Sequence, residues 1–368
     1  MDMSSSSAIL GMPFYASRFG ASSLVIGSMA AASTLLYVIF SQIFGRLSDR
    51  VNRKRVPQIA CICFSLLYFL MPFCRDLRQL AILFPFTGLT LSAFWPSLEA
   101  WIGERSDDRP LAKRVSIFNL FWTVGALLGF VTSGYIYDIH ATAPFYFASV
   151  SALCSAIAIT IQPEPVNRSA SRDQSERATD DRRLTIKYMY ISWAANFVSW
   201  LTLGVIRYIF PKLINELNMP PRLFGLLMLG WSCLQGLMFY ILGATEKWRY
   251  KFGLLAGFQM LGCLGFLTIW TANSPRFWAV ALMLFGIDTG MTYFSSIYYS
   301  LCGHADLGNK SGWHESILRS GEFIGSFTGG ILANYISLKS PYLFCAAMIV
   351  GGLAFQSFIL RVKSGDGR

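Results

Sequence analysis

Twelve apolar stretches recur along this chain, at about 5–16, 23–45, 56–74, 80–102, 115–137, 143–162, 186–209, 223–243, 251–271, 277–301, 312–337 and 341–361. All but the first are long enough, at ~1.5 Å per helical residue, to cross a hydrocarbon core of roughly 30 Å. A chain with 54% hydrophobic residues, 30 Phe and 10 Trp is not an ordinary soluble domain. The fold class is an all-α membrane protein. The eight Cys lie in or at the ends of apolar segments and match neither a disulfide framework nor a zinc site. Cys61 and Cys63, two apart, point to different sides of a helix, so packing accounts for them.

One long polar stretch, 163–185, interrupts the pattern with Ser, Asp and Arg. It reads as a mobile linker and divides the chain into six-helix halves, 1–162 and 186–368. The net charge of +11 follows the topology. Most Lys and Arg fall in the linker and in the loops that share its side, while the opposite loops hold only Arg18, Arg75, Arg78, Lys212, Arg222, Arg276 and Lys339. The positive-inside rule places the linker and both termini in the cytoplasm of a cell with this protein in its cytoplasmic (inner) membrane. No nucleic-acid partner is needed to explain the basic balance.

The halves repeat. Pro13, Gly27, Gly45 and Gly88 recur as Pro211, Gly225, Gly243 and Gly286, and Gly125, Gly129 and Gly134 recur as Gly321, Gly325 and Gly330. The offset is about 200 residues throughout, with a slip of two between the sets. Two parallel halves joined by a cytoplasmic linker are an architecture that transporters use. Aligned on this offset, the first segment would start before Met1. The expectation is a missing upstream stretch or a short first helix of about 13 residues, too few to cross.

The loop after the second segment reads GRLSDRVNRKRV. With Gly45, Asp49, Arg50, Arg53 and Lys54 it resembles the signature loop of the major facilitator superfamily, with Asn52 where that family usually has Gly. Both residues tolerate a left-handed backbone. The resemblance covers the whole chain and implies two six-helix bundles related by a pseudo-two-fold axis. It also implies a gating latch, in which Asp49 meets the N-terminus of the eleventh helix and the Arg residues tie neighbouring helices. The basic run alone would serve as a topology anchor. The second-half counterpart, GATEKWRYK, has Lys247 in the Asp position, so the latch is one-sided. Two patterns of drug/proton antiporters are missing: no Arg lies within the fourth segment, and no Gly-Pro pair within the fifth.

Ionisable groups inside a membrane suggest function. Asp288 lies about 16 Å along its helix from Phe277, near the midplane. Asp288, Thr292, Ser295 and Tyr299 recur at i, i+4, i+7 and i+11 as one polar stripe. By the resemblance this helix lines the central cavity, where Asp288 would take a proton or meet a cationic substrate; burial against another helix is the alternative. Glu315, Arg319 and Glu322 share a face of the eleventh segment, spaced to neutralise one another or to serve the cavity. His314 beside Glu315 is no metal motif, and no cofactor is implied. Glu99 and Trp95 on the fourth segment, Asn119 on the fifth and Asn196 on the seventh could contact substrate or simply pack. Arg207 is read as snorkelling from the outer end of the seventh.

The leading function is secondary transport of a small organic solute by alternating access, as proton-coupled efflux, in a monomer whose partners are solute, protons and lipid. Uptake of a sugar or other metabolite is the alternative. A sensor on a transporter scaffold would add a cytoplasmic domain, and the tail RVKSGDGR is too short for one. No HExxH, nucleophile elbow or phosphate loop supports an enzyme. Asp49→Asn is expected to insert normally yet slow solute flux in reconstituted vesicles. An unchanged rate would reduce the motif to an anchor.

Overall fold

The computed structural model describes residues 1–50, 54–104, 110–161, 182–302 and 307–361, with side chains at all of these except 45, 46, 48–50, 99–104, 307–309 and 311. The first half contains α1 (Asp2–Arg18), α2 (Ser23–Arg50), α3 (Arg55–Leu70) with a 3-10 turn at Met71–Phe73, α4 (Leu77–Leu83), α5 (Phe86–Glu104), α6 (Leu111–Ile139) and α7 (Ala143–Ile161). The second contains α8 (Arg182–Tyr208), α9 (Phe210–Glu216), α10 (Arg222–Ala244), α11 (Phe252–Thr271), α12 (Pro275–Leu301), α13 (Leu307–Tyr335) and α14 (Ser340–Arg361).

These helices make twelve traverses, because two are broken. Pro85 separates α4 from α5, and Pro211 follows the break between α8 and α9. Proline removes one N–H from the ladder and clashes with the carbonyl four residues back. Ten traverses are long and apolar enough to cross a membrane among the described residues. The two outside that set are α1, at 17 residues, and α13, which carries Glu315, Arg319 and Glu322.

The first helix is longer than the apolar count implied. The expected 13-residue core becomes a helix from Asp2 to Arg18, still half the 35 residues of the Arg182–Glu216 traverse. Its serines were the missing signal. Ser4, Ser6 and Ser7 are buried. Ser4 donates to the Ala148 carbonyl, Ser7 donates to the Pro144 carbonyl at 2.8 Å, and Ser133 donates to Ser7. A hydroxyl with a partner on a neighbouring helix sits in the bundle at little cost. The seventh traverse likewise starts at Arg182, four residues before the expected boundary.

The repeated glycines mark where helices meet. Between the halves, α2 packs on α13 and α6 on α10. At Gly27 a Cβ would stand 3.0 Å from the Gly330 Cα, and at Gly225 one would stand 3.4 Å from the Gly134 Cα. The repeat exchanges these two seams, since Gly27 corresponds to Gly225 and Gly134 to Gly330. The same correspondence holds inside the halves. Gly88 abuts the Ser33 carbonyl as Gly286 abuts that of Trp231, and Gly129 abuts Met3 as Gly325 abuts Leu201. Gly225→Val would drive a branched side chain onto the Phe130 carbonyl, 2.5 Å from the Cβ position. It is expected to destabilise the purified protein by about 1–3 kcal/mol in thermal unfolding. Gly253→Ala, with open space around it, serves as the control and should leave the transition in place.

Candidate functional site

Along α8, Asn196, Trp200, Leu203 and Arg207 recur at i, i+4, i+7 and i+11, so they share one face. On α6, Asn119, Trp122 and Ala126 fall between the face packed on α10 (Ser116, Thr123) and the face packed on α1 (Gly125, Gly129). The two stripes meet at Tyr293 of α12. Its ring centroid lies 5.1 Å from that of Trp122, 6.2 Å from Trp200, 6.0 Å from Phe239 and 5.3 Å from His314. This aromatic cluster draws on both halves.

On its linker side is a layer of amides without partners. Asn119 and Asn196 are fully buried, each one turn from its Trp, and neither amide nitrogen nor oxygen has a hydrogen bond among the described residues. His314 joins Ser296 through Nδ1 at 2.8 Å while Nε2 is unpartnered. A buried polar group left unpaired costs about 1–3 kcal/mol, and native folds hold few of them.

On the other side of the aromatics is an ion network. Arg207 Nη1 is 2.9 Å from Glu322 Oε1, and Arg319 Nη1 is 2.7 Å from Glu322 Oε2. Arg319 Nε is 3.9 Å from Glu315 Oε2, which accepts the Tyr37 hydroxyl at 2.7 Å. That last bond joins α13 to α2 across the halves. The Arg319 guanidinium lies 4.5 Å from the Tyr37 ring and 4.8 Å from Trp200, which also carries Arg207 at 5.1 Å. Two cations on one indole are tolerable because Glu322 bridges both and Glu315 supplies the second negative charge. A small cavity of about 30 Å³ adjoins the network, lined by Tyr37, Ser33, Thr87, Tyr208, Arg319 and Glu322.

Several expected placements need correction. Arg207 does not snorkel. It is 6% exposed, because α9 extends the traverse beyond it and leaves it about 13 Å inside. Asp288 is fully buried but does not line this cavity. It faces Gly262 of α11 and Ser199 of α8, whose hydroxyl donates to both carboxylate oxygens at 3.4 Å. Thr292 donates to Ser199 at 2.9 Å, Ser295 to the Thr292 carbonyl at 3.1 Å, and the Tyr299 hydroxyl accepts the Tyr250 N–H at 2.8 Å. The polar stripe therefore turns into the second half, and the opposite face with Tyr293 meets the first. Trp95 packs edge-on against Phe94 in a first-half cluster that contains Tyr37.

In the signature loop, Lys54 donates to the Thr160 carbonyl at 2.6 Å, tying the start of α3 to the end of α7. Arg53 lies outside the described residues, as do the side chains of Asp49, Arg50 and Glu99 and the packing around Gly45. So does most of the linker. Tyr37 and Tyr293 escaped the sequence reading, since nothing local distinguishes a tyrosine that packs from one that joins two halves.

Two helical halves of matching internal layout, meeting around a buried polar core, define a polytopic membrane transporter. The sequence matches the Major Facilitator Superfamily over residues 1–191, and the chain belongs to that family. Its relatives include Multidrug resistance protein 1 of Bacillus subtilis, 21% identical over 90% of this chain and 86% of the relative. Quinolone resistance protein NorA of Staphylococcus aureus is 20% identical over 93% of this chain and 89% of its own length. Among solved structures, the inward-facing, occupied bacterial homologue of the human lysosomal transporter Spinster superposes with a TM-score of 0.73 at 13% identity, covering 98% of this chain and 94% of that one. The human organic anion transporter MFSD10 gives 0.64 at 11% identity, covering 96% and 89%.

The amides allow stability and function to be separated. Asn119→Leu and Asn196→Leu remove unpaired polar groups of similar volume, so each is expected to unfold at an equal or higher temperature than the parent. Both are expected to lose at least tenfold in solute flux. A lowered melting temperature in both would mean that the amides have structural partners.

Proposed function

We propose that this protein is a secondary active transporter that exports a small, flat organic solute by alternating access, driven by protons. The observation that carries this reading is the pair of unpaired amides, Asn119 and Asn196, set beside Trp122 and Trp200 on opposite halves. Amides supply a donor and an acceptor each, and the indoles supply flat apolar surface. A pocket with few polar groups on aromatic walls suits an amphipathic ligand. The ion network is charge-balanced within itself, which favours a solute without strong net charge. Export, rather than uptake, is favoured by the resistance functions in the names of the relatives.

In this reading the protein sits in the cytoplasmic membrane with linker and termini inside, and works as a monomer. Asp49, Arg50 and Arg53 form a latch that engages in one state and releases in the other. Asp288 is the coupling acid rather than a substrate ligand. It lies off the cavity, with the Ser199 hydroxyl as the described partner of its carboxylate and no Lys or Arg paired to it among the described residues. Ser199 and Thr292 connect it to α8, the helix that also carries Asn196, Trp200 and Arg207, so a change in its charge would act on the wall of the site.

Asp288→Asn tests this. In vesicles it is expected to keep downhill exchange of a fluorescent solute within about threefold of the parent and to lose accumulation against a gradient when a pH difference is imposed. Full uphill transport by the variant would remove Asp288 from the coupling mechanism and leave Glu99, Glu315 and Glu322 as candidates.

A further inference from the structure

A groove of about 880 Å³ opens between α8, α13 and α14, away from the central core. Trp193 and Phe197 of α8, Ile317 of α13 and Phe355 of α14 wall it, and Gly351 leaves open space on its α14 side. Phe355 and the neighbouring Trp313 and Tyr190 are exposed, so the opening faces lipid. No residue lines both the groove and the cavity by the ion network. Past the end of the groove away from Lys310, α8 and α13 close on each other at Gly321 and Gly325, which abut the Phe197 and Leu201 carbonyls. The Trp193 indole is fixed by its hydrogen bond to Ser300 at 2.8 Å.

One charged side chain lines the groove among the described residues, Lys310, near the linker end of α13. The α8 wall continues toward the same end with two more bases. Arg183, Lys187, Tyr190, Ala194 and Phe197 recur at i, i+4, i+7, i+11 and i+14, one face of the helix. The shape is thus an apolar slot about 12 Å long, measured along α14 from Gly351 to Ile359, with bases at one end.

We propose that this groove is a binding site for one anionic phospholipid of the leaflet at the linker end. An acyl chain lies in the slot, and the phosphate meets Lys310 at the linker end of α13. The apolar walls require a hydrocarbon occupant, and the bases select an anionic headgroup over a zwitterionic one. Because the slot shares no lining residue with the cavity by the ion network, its occupant is retained rather than transported.

The full chain, purified in mild detergent, can be titrated with phosphatidylglycerol or phosphatidylcholine and read by native mass spectrometry. A single retained phosphatidylglycerol, held several-fold more tightly than phosphatidylcholine, is expected. Lys310→Gln should weaken phosphatidylglycerol about fivefold and leave phosphatidylcholine unchanged. Gly351→Phe, at a position where an added Cβ meets nothing within 4 Å, should fill the slot and abolish retention without lowering the melting temperature. Lys339→Gln, at the far end of the helices, should change nothing. Equal retention of both lipids, or indifference to Lys310→Gln, would reduce the groove to ordinary lipid contact and overturn the proposal. Displacement of the lipid by a transported solute would also overturn it, by making the groove a solute portal.

Discussion

Helices in a bilayer gain little from burying apolar surface against one another, because lipid is as apolar as a leucine. What holds them is close approach, and close approach needs a residue without a side chain. The seams of this protein follow from that constraint. Gly27 against Gly330 and Gly134 against Gly225 let α2 meet α13 and α6 meet α10 backbone to backbone. The duplicated pattern places equivalent glycines at equivalent contacts inside each half. The pseudo-two-fold axis is therefore a property of packing as well as of chain order.

Within that frame, the charged groups occupy the one place where they can be satisfied. Arg207 comes from α8 and Arg319 from α13, and both close on Glu322 at 2.9 and 2.7 Å. An ion network of this kind contributes specificity more surely than net stability, since desolvating four charges offsets most of their attraction. Its arrangement fixes the rotation of α8 relative to α13 and holds Trp200 beneath two guanidinium groups. Through Tyr37 and Glu315 it also reaches the other half. A rocking motion between halves must break that hydrogen bond, whereas the Arg207–Glu322–Arg319 unit can move as one body with the second half.

The sequence made the traverses and the duplication legible, because hydropathy and the glycine offset are local or periodic signals. It also singled out Asn119, Asn196, Glu315, Arg319 and Glu322. Direction was not legible. Periodicity says that Asp288, Thr292, Ser295 and Tyr299 share a face, and cannot say which neighbour that face meets. Gly262 decides it: a glycine on α11 admits the Asp288 carboxyl, so the stripe turns inward and Tyr293 turns toward the first half. Arg207 was misread for a related reason. Its distance from the membrane edge depends on whether the helix resumes after Ile209, as α9 does from Phe210 to Glu216. The serines of α1 lowered its apparent hydropathy, although their partners at Ala148 and Pro144 lie far along the chain.

The two halves are in contact along the α6–α10 seam. That seam runs from Gly134 at one end to Gly243 at the other, and the cavity beside the ion network has room for little more than a water. In this state Asn119 and Asn196 carry the desolvation cost of two amides without compensating bonds. If either half rotates outward, water reaches them and the cost disappears. The empty closed state is therefore penalised by about 1–3 kcal/mol per amide relative to an open one. A solute that bonds to both amides while stacking on Trp122 and Trp200 removes that penalty only when the halves are together. Such a ligand binds the closed arrangement better than the open one, and that differential is what shifts a conformational equilibrium. On the proposed function, the unpaired amides make closure depend on cargo, and the seam glycines give the halves a surface on which to close.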